Sequence, residues 1–224
     1  MIPWILLDKT VLADSGEELR LYQHDKDFIL KIGPYELMNS RAHNSEEELA
    51  KLACRRIKNL PEQAVLIGGL GMGFTLRAAL NNLKNRTRIT VAELVPAVIT
   101  WNQSHLAHLA KNPLKDKRVS VYEGDVTDKI KAAQNFYHAV LLDVDNGAQG
   151  LTQQKNDSLY SQRGLKAIYT ALQPEGILAL WSAGPDPRFE QRLRKAGFKV
   201  ETVRVRARSG RKGGGHSVVW IATK

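Results

Sequence analysis

Four short segments of the sequence have residues whose types and positions suit ligand chemistry. They are the glycine run at 68–73 (GGLGMG), Glu93, Asp125 and Asp143, and each follows a short apolar stretch. Glycines permit a tight turn and a close approach of backbone to a ligand, and carboxylates accept hydrogen bonds from hydroxyl and amine groups. Their order along the chain favours an adenosine-type ligand over four unrelated coincidences.

The first two segments are the glycine run, which suits close contact of backbone with a ligand, and Glu93, which suits a ribose. The glycines of the run lie between an apolar strand and a helix, where backbone N–H groups are free, and we predict that they bind a cofactor: Gly68, Gly69, Gly71 and Gly73. Glu93 ends the next apolar run, where its carboxylate can accept both hydroxyls of a ribose. The alternatives are a tight turn without a ligand, and an acidic residue preceding the helix that starts near Pro96.

The other two segments contain the remaining carboxylates. Asp125 is predicted to accept a hydrogen bond from an adenine amine, with Val126 beside it, or else to cap the helix that follows. Asp143 is predicted to contact both cofactor and acceptor and to be catalytic, together with Asp145. Asp145 has an alternative as a solvated loop carboxylate or a cap. The polar stretch 147–158 is long enough to cover the pocket.

Alternating apolar runs and amphipathic helical segments must position these residues. From residue 63 onward this alternation predicts an α/β fold, a Rossmann-like doubly wound, mostly parallel seven-stranded sheet that closes with an antiparallel C-terminal hairpin. Residues 1–43 are predicted to form a small β-rich segment, and residues 44–224 a nucleotide-binding catalytic domain. Helix 97–109 and a helix capped by Asn44 and Ser45 are among the predicted elements.

The motif order GGLGMG, AELVPAVI, GDV and LLDVDNG resembles the spermidine synthase branch of the class I S-adenosylmethionine-dependent transferases. The resemblance covers about residues 44–224, and the β-rich beginning looks like that family's small leading domain. It implies aminopropyl transfer from decarboxylated S-adenosylmethionine to a polyamine or another small amine. It also implies that Glu93 binds ribose, that Asp125 binds adenine, and that Asp143 faces the incoming nucleophile.

Three departures from the family pattern keep other functions open. Gly71 stands where the family has an aspartate, the family's DSSDP stretch reads DVDNG at 143–147, and the Tyr-His pair expected before the first strand is missing. A neutral glycine loop suits a carboxylate-bearing cofactor, since N–H donors favour an anion. The alternatives are therefore an S-adenosylmethionine-dependent methyltransferase acting on a small molecule or RNA, and a noncatalytic adenosine-binding module.

The net charge of +10 is concentrated at one end of the chain. Residues 188–224 contain eleven basic and two acidic residues, so this region accounts for +9 of the total. Arg204 and Arg206, two residues apart on a predicted strand, would project on one face and can contact phosphates. Nucleic acid is therefore a possible partner, and a solvated edge strand protected by its charges is the alternative.

The remaining composition excludes several classes of protein. A single cysteine, Cys54, excludes an intramolecular disulfide and any zinc site with two cysteine ligands, and no metal site is expected from His105 and His108. No apolar run is long enough to cross a bilayer, so no membrane association is expected and a cytoplasmic location is predicted. The family resemblance also suggests a homodimer.

Overall fold

The computed structural model describes residues 3–13, 15–143, 158–206 and 216–224, with the backbone alone at His216. The first sheet is a four-stranded antiparallel meander in the order β1-β2-β3-β4. Its strands are β1 (Ile5–Val11), β2 (Glu18–His24), β3 (Asp27–Ile32) and β4 (Tyr35–Asn39). Sequence patterns predicted the first three strands, and the structure adds β4 after the turn at Gly33 and Pro34.

The second sheet has seven strands in the order β10-β11-β9-β8-β5-β6-β7. The strands are β5 (Ala64–Gly68), β6 (Arg88–Glu93), β7 (Val119–Glu123), β8 (Tyr137–Leu142), β9 (Leu172–Ser182), β10 (Lys199–Arg206) and β11 (His216–Thr223). The pairs among β5 to β9 are parallel, whereas β11 is antiparallel to both β9 and β10. This arrangement confirms the predicted fold class.

Helices cover both faces of the seven-stranded sheet. They are α1 (Asn44–Ile57), α2 (Phe74–Asn82), α3 (Pro96–Gln103), α4 (Val126–Lys131), α5 (Gln162–Ala171) and α6 (Pro187–Lys195). Apolar residues of α1, α2 and α3 pack on one face of the sheet, and those of α4, α5 and α6 pack on the other. The alternation of side chains along each strand divides the interior into these two cores.

Two helix ends differ from the sequence prediction. The cap position of α1 is His43 rather than Asn44 or Ser45, and it makes no side-chain capping bond. Helix α3 ends at Gln103 instead of reaching residue 109. The hydroxyl of Ser104 donates to the carbonyl of Thr100 at 2.7 Å, and side-chain bonds of this kind compete with the backbone ladder of a helix.

The N-terminal sheet packs on the helices of the larger unit. Leu21 and Phe28 belong to the same apolar core as Leu49 of α1. The buried indole of Trp101 donates from Nε1 to Asp8 Oδ2 of β1 at 2.6 Å, which lowers the pKa of Asp8. The division of the chain at residue 43 stays a prediction.

Candidate functional site

The glycine run forms the connection between β5 and α2. Gly71 and Gly73 have φ values of 53° and 83°, in the left-handed region that favours glycine. Gly73 occupies the cap position of α2, so the first N–H groups of that helix lie directly after the loop. The Gly69 N–H donates to the carbonyl of Ala92 at 2.9 Å, which holds the loop against the end of β6.

Gly68 ends β5 at a point where three elements meet. A Cβ atom at this position would lie 2.6 Å from Leu142 Cδ2 and 3.1 Å from Val126 Cγ2. Because glycine has no side chain, the end of β8 and the start of α4 can approach the glycine loop closely. The sequence placed Val126 at the site, and the structure brings it there through this contact.

Glu93 is buried at the carboxyl end of β6, and both of its oxygens accept backbone hydrogen bonds. The Leu70 N–H donates to Oε2 at 2.8 Å, and the Val95 N–H donates to Oε1 at 2.9 Å. Burial raises the pKa of Glu93, and the backbone bonds act in the opposite direction. The carboxylate therefore holds the glycine loop.

Asp125 caps α4. Its Oδ1 accepts the Thr127 N–H at 2.8 Å, which is the capping role that the sequence left open. The cap occupies one carboxylate oxygen, and the second oxygen has no hydrogen bond among the described residues. A capping role and a contact to a ligand amine are therefore compatible.

Asp143 directly follows β8 and is half-buried beside the glycine loop. Its N–H lies 3.4 Å from the carbonyl oxygen of Gly68, and its Oδ2 accepts the hydroxyl of Thr75 at 3.1 Å. Burial raises the pKa of Asp143 to about 6, while the Thr75 bond lowers it. A carboxylate with such a pKa accepts a proton more readily than an ordinary aspartate does and is still mostly ionised at pH 7.

Three residues that the sequence analysis did not select also reach this site. His43 stacks on Phe74 with ring centroids 4.2 Å apart, and its Nδ1 lies 2.9 Å from Glu47 Oε1 at an angle that makes no hydrogen bond. Met38 faces Gly71, since a Cβ there would lie 2.8 Å from Met38 Cε. Asn102 donates from Nδ2 to the Gly71 carbonyl at 2.7 Å.

Trp181 stands at the carboxyl end of β9. It follows Leu180, whose Cα partner on β8 is Leu142, so Trp181 lies beside Asp143. Its Nε1 is buried and has no hydrogen-bond partner in the described chain. A buried donor without a partner is uncommon.

One predicted residue lies outside the described ranges, and two further polar residues, Tyr160 and His216, have places in the fold. Asp145 and the proposed covering stretch up to residue 157 are not among the described residues. Tyr160 packs edge-on against Phe189 of α6, at 5.7 Å between ring centroids. His216 begins β11.

The residues considered and rejected as metal ligands also have places in the fold. The His108 ring packs edge-on against the Phe28 ring, with the centroids 5.5 Å apart. Cys54 of α1 is buried in the hydrophobic core, and burial raises the pKa of its thiol to about 12. Within the described ranges, no three His, Cys, Asp or Glu side chains are grouped as a metal site. None of the described helices combines the length and apolar character needed to cross a membrane.

The assembled site suits an adenosyl group. The loop is followed by the first N–H groups of α2 and has a surface on which side chains would clash. Glu93 ends β6, and Asp125 and Asp143 come after β7 and β8, so all three lie at the carboxyl ends of the strands. Ligands of open α/β sheets bind outside the carboxyl ends of the strands, where the strand order reverses. Here that reversal falls at β5, with β6 on one side and β8 on the other.

Comparisons with known proteins agree with this geometry. A family model described as the spermine/spermidine synthase domain matches residues 43–193. A polyamine aminopropyltransferase of Sulfolobus acidocaldarius is 30% identical over 125 residues, which are 56% of this chain but 40% of that relative.

Two solved structures share the fold over 98% of this chain and 72% of theirs, each at 15% identity. One is a spermidine synthase in complex with the transition-state analogue AdoDATO, with a TM-score of 0.74. The other is the spermidine synthase from Thermotoga maritima, with a TM-score of 0.75.

Proposed function

This chain belongs to the spermine/spermidine synthase family, and we propose that it transfers an aminopropyl group from decarboxylated S-adenosylmethionine to a small amine such as a polyamine. The observation that carries the proposal is the position of Asp143. Its carboxylate lies beside the glycine loop, at the edge of the sheet where Glu93 ends β6, and burial places its pKa at about 6. A carboxylate in that place can orient an amine toward the bound sulfonium.

The proposed tasks of the other residues follow from their contacts. Glu93 holds the glycine loop and accepts ribose hydroxyls, and the second oxygen of Asp125 accepts the adenine amine. Val126 forms an apolar wall against Gly68. Gly69, Gly71 and Gly73 let the backbone approach the ligand, and the sequence adds Asp145 as a second anionic contact for the amine.

Asp143 performs the proton chemistry in this proposal. An alkylammonium must lose a proton before its nitrogen can attack, because the amine is mostly protonated at neutral pH. When bound, the sulfonium supplies an already activated carbon, so the protein mainly orients the nucleophile and excludes water. Asp143 accepts the proton of the amine, and Thr75 keeps the carboxylate in place.

Methyl transfer from S-adenosylmethionine is the second candidate, because of Met38. The thioether end of this residue faces Gly71, so the glycine loop is neutral where it meets the N-terminal sheet. A neutral loop that leads into the N-terminus of α2 suits a ligand that retains its carboxylate. The acceptor in this case is a small molecule or RNA.

Calorimetry with three ligands tests both candidates. We expect decarboxylated S-adenosylmethionine and methylthioadenosine to bind more tightly than S-adenosylmethionine, and mass spectrometry to detect spermidine when putrescine is added. Asp143→Asn should lower turnover by about a hundredfold or more while changing ligand affinity little, because the lost group acts on the amine. Asp128→Asn, at an exposed position on α4, is the matched control.

Each contradictory result identifies an alternative. Tighter binding of S-adenosylmethionine together with a methylated amine or RNA would establish methyl transfer instead. Binding of adenosyl ligands without any product would leave a noncatalytic module. Failure of all three ligands to bind would remove every adenosine-based function.

A further inference from the structure

A second cavity, of about 370 Å³, opens at the amino ends of the central strands of the large sheet, opposite the candidate site. It is lined by the first residues of β5 and β6. The glycine loop, in contrast, follows the end of β5, and Glu93 is the last residue of β6. Five residue steps separate Arg88 from Glu93 along β6, which is roughly 16 Å in a strand. The cavity is therefore distinct from the candidate site for the adenosyl group.

The cavity exists because the sheet is incompletely covered here. Helix α4 is six residues long and packs on β6. At the start of the strands Arg88 and Ser120 are exposed and Thr90 is half-buried. Thr90 and Ser120 are Cα partners on these two strands, and both line the cavity. Residues at positions i and i+2 of a strand share a face, so Arg88 projects on the same side as Thr90.

Among the residues that the structure describes, four cationic side chains and no aspartate or glutamate line this cavity: Arg86, Arg88, Lys117 and Arg118. Arg118 is held in place by Asp116, with Nη2 and Oδ2 2.8 Å apart. Arg86 and Lys117 are exposed and have no hydrogen bond or ion pair within the described ranges. This excess of positive charge suits an anion, and guanidinium groups beside hydroxyl donors suit phosphate oxygens.

An exposed aromatic ring stands next to these cations. Phe136 is 46% exposed, and the guanidinium carbon of Arg88 lies 5.9 Å from its ring centroid. An exposed ring of this size can stack on a planar base, and an arginine beside it can contact the attached phosphate. The volume of the cavity matches the lower range of small-molecule sites.

We propose that this cavity binds a nucleotide, with its phosphates against Arg86, Arg88 and Lys117 and its base against Phe136. The hydroxyls of Thr90 and Ser120 donate to the same phosphates. Arg118 contributes charge from a fixed position. The proposal does not depend on the transfer activity.

Calorimetric titration with UTP and with inorganic tripolyphosphate tests this site. Neither probe contains adenosine, so neither reports on the other edge of the sheet. We expect both to bind the full chain, and Arg86→Ala combined with Lys117→Ala to weaken both at least about tenfold, as the loss of charge-assisted hydrogen bonds predicts. Both residues are exposed, so the fold should tolerate the change. Phe136→Ala should weaken UTP alone.

Arg188→Ala combined with Lys195→Ala is the matched control. It removes the same charges from α6, which packs near β10 at the far side of the sheet. Equal losses in both double variants would show nonspecific binding to a basic surface and overturn the proposal. Absence of binding by the unmodified chain would also overturn it, and an equal effect of Phe136→Ala on both probes would reject the base contact.

Discussion

At the level of single residues, two carboxyl groups at the carboxyl ends of the strands differ in their hydrogen bonds. Burial raises the pKa of both Glu93 and Asp143. Each oxygen of Glu93 accepts a backbone N–H, so this residue is a fixed part of the loop. Asp143 accepts a single side-chain bond within the described chain, from Thr75. Asp143 therefore has unused acceptor capacity, which a base needs.

The pH dependence of activity should report on Asp143. In the proposed mechanism Asp143 acts as a base in its ionised form, so kcat/KM should fall as the pH drops below about 6. Thr75→Val removes a hydrogen bond that lowers this pKa, so the acid limb should move to higher pH by about half a unit to one unit. Thr170→Val, on α5, is the control. An unmoved limb in Thr75→Val would contradict the role of the bond.

At the level of elements, the site depends on how closely β5, β8 and α4 approach one another. Gly68 is the point of contact, and Met38 and Asn102 hold the next part of the loop from two other elements. A predicted strand-loop-helix unit therefore becomes a site only after β4, α3 and α4 have packed against it. Backbone positions in the loop are set by these neighbours as much as by the glycines.

Gly68→Ala tests this packing. The added Cβ would lie 2.6 Å from Leu142 Cδ2, so we expect the free energy of unfolding to fall by about 1–3 kcal/mol in urea denaturation. Gly184→Ala is the matched control because a Cβ there meets nothing within 4 Å. Equal stability of the two variants would show that the approach of β8 to the loop is not tight.

At the level of the whole molecule, two sheets share one of the two cores. Leu30 of the N-terminal sheet is 3% exposed and belongs to the same core as Trp101 and the large sheet.

The basic side chains that the structure describes near the C-terminus take no part in this shared core. Arg204 and Arg206 are exposed on β10 and line a cavity of about 400 Å³, whereas residues 207–215 are not described. Nucleic-acid binding at this end, a homodimer and the cytoplasmic location stay predictions.

The shared core predicts cooperative unfolding of the two sheets. Calorimetry should give one transition, with equal calorimetric and van't Hoff enthalpies. Leu30→Ala should cost about 2–5 kcal/mol and move that whole transition to lower temperature. Leu6→Ala, which is 45% exposed on β1, should change it little. Two transitions, of which Leu30→Ala shifts one, would instead support independent domains.

Sequence patterns predicted most elements of the large sheet and the places of Glu93, Asp125 and Asp143 at the ends of its strands. Strand and helix periodicities are local, and the carboxyl ends of parallel strands converge at one edge, so these residues could be assigned to a site without coordinates. The glycine run was recognisable because it lies between a predicted strand and a predicted helix. The capping bond of Asp125 was one of two open alternatives until its geometry was known.

The packing of the folded chain sets which residues surround that end of the sheet. His43 meets Phe74, and Met38 meets Gly71, across more than thirty positions of sequence. The second cavity likewise joins Arg86 to Phe136, which are fifty positions apart. Such contacts carry no local periodicity, because they arise when separate elements pack to bury apolar surface. The pKa of Asp143 belongs to the same category, since burial is a property of the folded chain.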